Sequence, residues 1–258
     1  MLGDLYASAL SEARAREEQI GISALEAMIA EGAAPLDALT ALSPTETVRV
    51  IAEVKRSSPA QGDLAQIADS QLLAQQYEAG GASAISVLTE QQYFNGSLQD
   101  LAAVRKAVSL PILRKDFIAT EYQLLESRAF GADIVLLIVA GLEQPLLQRL
   151  YDFAGELGLT ALVETHSAEE VSRAVDLGAE LIGVNARNLT TFEVDRGLFE
   201  RVADQIPAGI TRVAESAVAS LSDVERYREA GADAVLVGAA LVQDSDPAQL
   251  VASFAAVS

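Results

Sequence analysis

Val48–Gly62 reads VRVIAEVKRSSPAQG, and its first half has the signature of a buried strand. Val48, Val50, Ile51 and Val54 form an apolar, β-branched run of the kind covered on both faces of a parallel sheet. Glu53 and Lys55 stand two apart at its end, so an extended chain points both to the same side. Arg56-Ser57-Ser58-Pro59 and Gly62 then break the pattern as a loop. A carboxylate and an amine at the mouth of a buried strand are costly to desolvate. They are either an ion pair that caps the strand or a catalytic pair.

Downstream the chain repeats itself. Gly-Ala followed by a β-type run occurs at Gly81-Ala82 before SAISVL, Gly131-Ala132 before DIVLLI, Gly178-Ala179 before ELIGV and Gly231-Ala232 before DAVLVG. Each copy follows a helix-like segment, which makes the glycine a helix stop. The copies lie about 50 residues apart, room for two βα units each. Four more strand candidates fall between them: Val48–Val54, Pro111–Arg114, Thr160–Glu164 and Thr211–Glu215. Helices are expected over 97–108, 120–130, 144–158 and 220–230. Alternation of this kind predicts a parallel sheet, and eight units over residues 48–258 predict an α/β fold of the (β/α)₈ TIM-barrel type. A doubly wound open sheet is the alternative, weakened by the absence of a GxGxxG turn after the first strand. Residues 1–47 read as a helical extension packed on that barrel, with Leu2, Leu5, Ala9 and Ala13 on one apolar face. Ser23-Ala24-Leu25-Glu26 has the pattern of a capping box, and Gly32 that of a stop.

The 18 basic and 37 acidic residues give a net charge of −19, a field that repels nucleic acid and anionic membranes. No apolar run is long enough for a membrane span, and no signal peptide opens the sequence, so a cytoplasmic location is expected. With no cysteine and one histidine, neither a disulfide nor a thiolate or histidine-rich metal site is expected. Acid–base chemistry has to run on carboxylates and lysines. Only Lys55, Lys106 and Lys115 are lysines, and Lys55 and Lys115 end strand-like runs. An amine that can titrate is something arginine cannot supply. Lys106 falls on the solvent side of a helix.

In such a barrel the active site lies at the C-terminal strand ends. Those ends carry Glu53 and Lys55, Lys115-Asp116, Glu164, Asn185 and Arg187, Glu215-Ser216, and Gly238, while the second and fourth strands are apolar. Convergent carboxylates and lysines can hold a protonated amine beside an ionised base. The loops after strands seven and eight, Ser216-Ala217 and Gly238-Ala239-Ala240, are candidate anion sites, with Ser58 facing them. His166 is read as orienting its loop or meeting solvent rather than as catalytic. Tyr93-Phe94-Asn95-Gly96-Ser97 is either an ordinary turn or a wall for a planar substrate.

Taken in order, IAEVKRSSPAQG, QQYFNGS, PILRKDF, ALVETH, GVNARNL and VAESA resemble the indole-3-glycerol-phosphate synthase family of tryptophan biosynthesis. The resemblance implies a lyase that converts 1-(2-carboxyphenylamino)-1-deoxyribulose 5-phosphate to indole-3-glycerol phosphate. It implies no cofactor, no metal and no partner beyond that small phosphorylated substrate, and a monomer is expected. By similarity, Lys115 is the general acid for ring closure, Glu164 its acid–base partner, and Lys55 an acid for dehydration. Glu53 and Asn185 are similar to the pair that orients the sugar hydroxyls. Glu215 and Ser216 match the seventh-strand pair, and Ser58, Ala217, Gly238 and Ala239 fall where phosphate is gripped. Arg187 is similar to an arginine facing the anthranilate carboxylate, and Phe94 belongs to the substrate wall. Fusion to phosphoribosylanthranilate isomerase, found in some relatives, is not expected. The sequence departs from the family at Ala60, Thr165, Ala217 and Ala239, where Ser, Val, Gly and a hydroxyl or acidic residue are usual. With Ser216 and Gly238 intact, a negative φ is expected at Ala217. Sugar-phosphate aldolase chemistry through a lysine Schiff base, or a silent phosphate-binding barrel, would fit the same charges.

Overall fold

Each Gly-Ala repeat ends a helix in the same way. The helices are α4 (Ser70–Ala79), α6 (Glu121–Ala129), α8 (Ala168–Asp176) and α10 (Leu221–Glu229). Gly81, Gly131, Gly178 and Gly231 all take left-handed φ values between 82° and 93°. The alanine N–H after each reaches back to the carbonyl of Tyr77, Ser127, Ala174 or Tyr227. This is the Schellman cap, which needs a residue without a Cβ at its left-handed position. Each following alanine is buried and leads into the next strand.

The computed structural model describes residues 1–65 and 67–258. Eight strands run parallel: β1 (Arg49–Val54), β2 (Ala84–Leu88), β3 (Ile112–Lys115), β4 (Ile134–Ile138), β5 (Thr160–Thr165), β6 (Leu181–Asn185), β7 (Thr211–Glu215) and β8 (Ala234–Val237). They close into a barrel in sequence order, with β1 pairing β8 from Arg49↔Ala234 to Ala52↔Val237. Closure rules out the doubly wound alternative. The further helices are α5 (Leu98–Ala107), α7 (Gln144–Glu156), α9 (Leu198–Val202), α11 (Ala239–Val242) and α12 (Pro247–Ala255). Thr120 and Gln123 form a capping box at the start of α6.

Before the barrel come α1 (Leu2–Glu17), α2 (Ile22–Glu31) and α3 (Ala38–Leu42). The capping box expected at Ser23 is absent. The extended backbone that an N-cap requires falls at Gly21, which leaves Ser23 inside α2 with its side chain uninvolved. Gly32 does end that helix. On α1, Leu5, Tyr6 and Ala9 join the main core, whereas Ala13 packs with Leu25, Tyr122 and Leu125 in a second cluster. A buried polar chain links these layers. Arg114, on β3 and wholly buried, donates to Asp116, Thr89 and the Gln123 carbonyl, and also reaches Glu126. Glu126 in turn pairs with Arg16 of α1 at 2.6 Å. Among the described residues, no helix is long and apolar enough to cross a membrane.

Candidate active site

Strand register brings the charged ends together. Leu88 pairs with Lys115, Ile138 with Glu164, Glu164 with Gly183, and Asn185 with Glu215. Lys115 Nζ lies 2.7 Å from Glu164 Oε2 and 2.6 Å from Glu215 Oε2. Both carboxylates are only 1% exposed. A Cβ on Gly183 would overlap Glu215 Oε1, so the glycine leaves room for that carboxylate inside the barrel.

Burial pushes the Lys115 amine down, but Glu164, Glu215 and Glu53 outweigh it and hold the amine above its ordinary range. Burial likewise pushes Glu164 up, yet Lys115 and His166 hold it well below the usual carboxylate range. For Glu215, burial and the Glu164 charge prevail over Lys115 and push it up to about 8. At neutral pH the trio is therefore an ammonium, a carboxylate and a second carboxyl that keeps its proton. That is an acid and a base within one hydrogen-bond length of each other.

A second pair stands beside it. Lys55 Nζ is 2.6 Å from Glu53 Oε1, and Ser86 Oγ is 3.4 Å from Glu53 Oε2. The Cα of Gly238 faces this pair, since an added Cβ would overlap Glu53 Oε1 and lie 2.9 Å from Lys55 Nζ. Asn185 Nδ2 donates to Glu164 Oε1 at 3.2 Å, and its Oδ1 accepts from Ser216 Oγ at 2.7 Å and from the Arg187 N–H at 3.0 Å. Arg187 donates to the Phe192 carbonyl. Burial alone lowers its guanidinium pKa, with no carboxylate among the described residues offsetting it. Ser58 sits in a two-residue hairpin with Gly62-Asp63, anchored by Arg56 on Asp100 at 2.7 Å.

One cavity joins all of these. Glu53, Lys55, Ser58, Lys115, Glu164, Asn185, Arg187, Glu215, Ser216, Ala217, Gly238 and Ala239 line it together with Phe94. Phe94 is placed by the buried Glu90, whose carboxylate accepts the Tyr93 and Phe94 N–H groups and is held by Ser8 of α1. Phe117, Leu136, Ile138, Leu189 and Phe192 add to the apolar wall without having been singled out from the sequence, and Leu5, read there only as part of a helix face, joins them. Phe117 stacks edge-on with Tyr6 and at a tilt with Phe94, 5.6 and 6.1 Å between ring centres. Its place directly after Lys115-Asp116 was the available signal. Leu136 and Ile138 look like any core residue.

Two expectations need correction. The first is Ala217, whose φ is +59°, following Ser216 at +68°. Tertiary contacts impose this: Tyr227 Oη donates to the Ser216 carbonyl, Arg196 to the Ala217 carbonyl, and Ser216 Oγ to Asn185. An alanine in this region costs roughly 1–2 kcal/mol, partly offset by its stiffer unfolded chain. Ala217→Gly should therefore raise Tm, by about 2–4 °C at most for a chain of this size, in a thermal melt. KM should change less than about threefold, because the substitution keeps the backbone donor. A lower Tm would show that the loop does not strain this alanine.

The second concerns His166, whose loop-orienting contact is present but whose ring is mostly buried rather than turned to solvent. Its side chain is 10% exposed, with Nε2 3.2 Å from Glu164 Oε1 and Nδ1 3.2 Å from Glu170 Oε2. It also lines a second, more polar cavity with Asn185, Asn188, Glu193 and Asp195.

The family model described as "Indole-3-glycerol phosphate synthase" matches residues 2–254. The indole-3-glycerol phosphate synthase of Leifsonia xyli subsp. xyli is 59% identical over 257 residues, covering 100% of this chain and 98% of its own. That of Mycolicibacterium gilvum is 52% identical, covering 98% of this chain and 92% of its own. Indole-3-glycerol phosphate synthase 1 of Streptomyces coelicolor is 56% identical, covering 93% and 89%. Among solved structures, a thiamine phosphate pyrophosphorylase from Pyrococcus furiosus superposes with a TM-score of 0.61 over 80% of this chain and 93% of that one. At 15% identity it speaks for the barrel fold alone. With the family matched over nearly its whole length, the chain belongs to the indole-3-glycerol phosphate synthase family.

Proposed function

We propose that Lys115, Glu164 and Glu215 form the acid–base centre of the family's reaction. This chain is a lyase that converts 1-(2-carboxyphenylamino)-1-deoxyribulose 5-phosphate to indole-3-glycerol phosphate in tryptophan biosynthesis. One observation carries the assignment: Lys115 Nζ sits between two buried carboxyl groups at 2.7 and 2.6 Å, in a cavity with a charged floor and an apolar wall.

The chemistry then follows. The ring carbon bearing the carboxylate attacks the ketone carbon, and the carbonyl electrons move to oxygen, which takes a proton from Lys115. An ammonium paired with ionised Glu164 and held by the Glu215 carboxyl releases its proton only to a strong base, and the developing alkoxide is one. Carbon dioxide leaves, and its bonding electrons restore the aromatic ring and neutralise the ring nitrogen. The hydroxyl then departs as water with a second proton, from Lys55. Glu164 removes one C–H proton to complete the indole. Two protons are given and one recovered, so each turnover draws one from solvent.

The other roles follow from position. Glu53 holds Lys55, Asn185 aligns Glu164, and Arg187 offers a cation to the substrate carboxylate. Ser58, Ser216, Ala217, Gly238 and Ala239 surround the phosphate, and Phe94 and Phe117 flank the anthranilate ring. Residues 1–47 serve as an extension of a barrel spanning 48–258, with Leu5 contributing to the cavity wall. Every proposed group lies in one chain, consistent with a working monomer. The net charge of −19 disfavours nucleic acid and anionic membranes. A phosphorylated substrate that does not cross membranes freely favours the cytoplasm.

An absorbance assay with the carboxyphenylamino substrate tests this reading. Indole absorbance should rise while borohydride traps no adduct, because a protonated Lys115 is a poor nucleophile. A borohydride-trapped lysine adduct without indole would support the aldolase instead.

A further inference from the structure

The chain's single histidine sits between two carboxylates, one of them Glu164. Glu170, on the first turn of α8, accepts the His166 backbone N–H at 2.8 Å and meets Nδ1 at 3.2 Å. That double contact fixes the turn between β5 and α8 with the ring facing the barrel. Nε2 then lies 3.2 Å from Glu164 Oε1, as an ion pair off the N–H axis rather than a linear hydrogen bond. Asn185 Nδ2 reaches the same oxygen. The oxygens of Glu164 are thus divided, with Oε1 taken by His166 and Asn185 and Oε2 left to Lys115.

We propose that His166, held by Glu170, is a positioning residue for the reaction: its imidazolium keeps Glu164 ionised and turns Oε2 toward Lys115. The proposal rests on the reading of Glu164 as the base, and His166 acts through that carboxylate.

The surrounding charges favour the cation. Glu164 and Glu170 face the ring, and Glu193 and Asp195 line the second cavity with it. Burial pushes the imidazole down, but contacts with Glu164 and Glu170 lift it to about 9, so it is charged through the neutral range. Facing Glu164 are Lys115 from β3, Glu215 from β7, Asn185 from β6 and Tyr6 from α1, with Glu53 of β1 acting on the same amine. Without His166, the cation left on Glu164 would be Lys115, with Asn185 as a neutral donor. Removing a cation raises a carboxylate pKa, so the base would protonate sooner as pH falls.

The test is the pH profile of kcat for wild type, His166→Gln and Glu170→Gln. Gln keeps a donor near Glu164 without the charge. The acidic limb should move up by about one pH unit or more, with a loss of about tenfold on that limb and KM within about threefold. Glu170→Gln leaves the histidine in place and should move the limb the same way by less, so the idea stays testable if His166→Gln folds poorly. A limb unmoved in every variant that folds would overturn the proposal. So would a tenfold rise in KM at constant kcat, which would mean the ring contacts substrate directly. Failure of the wild type to form indole would instead remove the underlying reading of the site.

Discussion

Lys115→Met should lower kcat by at least ~10²-fold, the loss typical of a missing general acid. Lys106→Met should leave it unchanged, since Lys106 is exposed on α5. The structure adds a statement about folding. Deleting one partner of a buried ion pair commonly costs about 3–5 kcal/mol, because the other charge is stranded. Here the loss should be well below that near neutral pH. Glu215, pushed up to about 8, already carries a proton there, and His166 stays beside Glu164. The penalty should grow as pH rises past the wild-type value, because Lys115 is what lowers Glu215, and without it the carboxyl must keep a proton that the wild type gives up. Steady-state kinetics and thermal melts at pH 6.5 and 9 would check both halves. Equal losses of activity at Lys106 and Lys115 would contradict the assignment.

The second large effect should come from a methyl group. Gly238→Ala places a Cβ against Glu53 Oε1 and 2.9 Å from Lys55 Nζ. Glu53 is 2% exposed, so its carboxylate has little free space in which to retreat. Displacement of catalytic groups on the ångström scale can cost about 10²-fold, and a loss of that order in kcat/KM is expected. The melting temperature should move little, since the atoms displaced are side-chain ends rather than backbone. Gly155→Ala is the control. Nothing lies within 4 Å of a Cβ there, inside α7, so activity should be unchanged and stability should rise by roughly 0.5–1 kcal/mol. Near-normal activity in Gly238→Ala would mean that the Glu53–Lys55 geometry is not critical.

The barrel was legible because two independent signals agreed. Apolar runs gave the strands, and Gly-Ala marked where alternate helices stop, a chemical necessity of the Schellman cap at Gly81, Gly131, Gly178 and Gly231. The charged floor was legible for a similar reason: Glu53, Lys115, Glu164 and Glu215 interrupt runs that otherwise belong to a core. The apolar wall was not, because nothing distinguishes a leucine facing substrate, such as Leu136, from one facing its neighbours. Ala217 was misjudged because its backbone is set by Tyr227, Arg196 and Asn185, which lie 10, 21 and 32 residues away in sequence. A Ser-Ala pair carries no local signal for left-handed backbone. For His166 a signal did exist: Glu170 four residues on, across one turn of the following helix, marks a ring held on its nitrogen. Ser23 shows the opposite failure, a pattern match whose backbone is already helical.

The division of labour between the two lysines is tested most directly by following carbon dioxide and indole separately in one turnover. Lys55→Met should release carbon dioxide and then stall, with the hydroxylated ring accumulating and little indole absorbance. Lys115→Met should release neither, because ring closure comes before decarboxylation. Carbon dioxide release from Lys115→Met at the wild-type rate would contradict the assignment of Lys115 as the ring-closure acid.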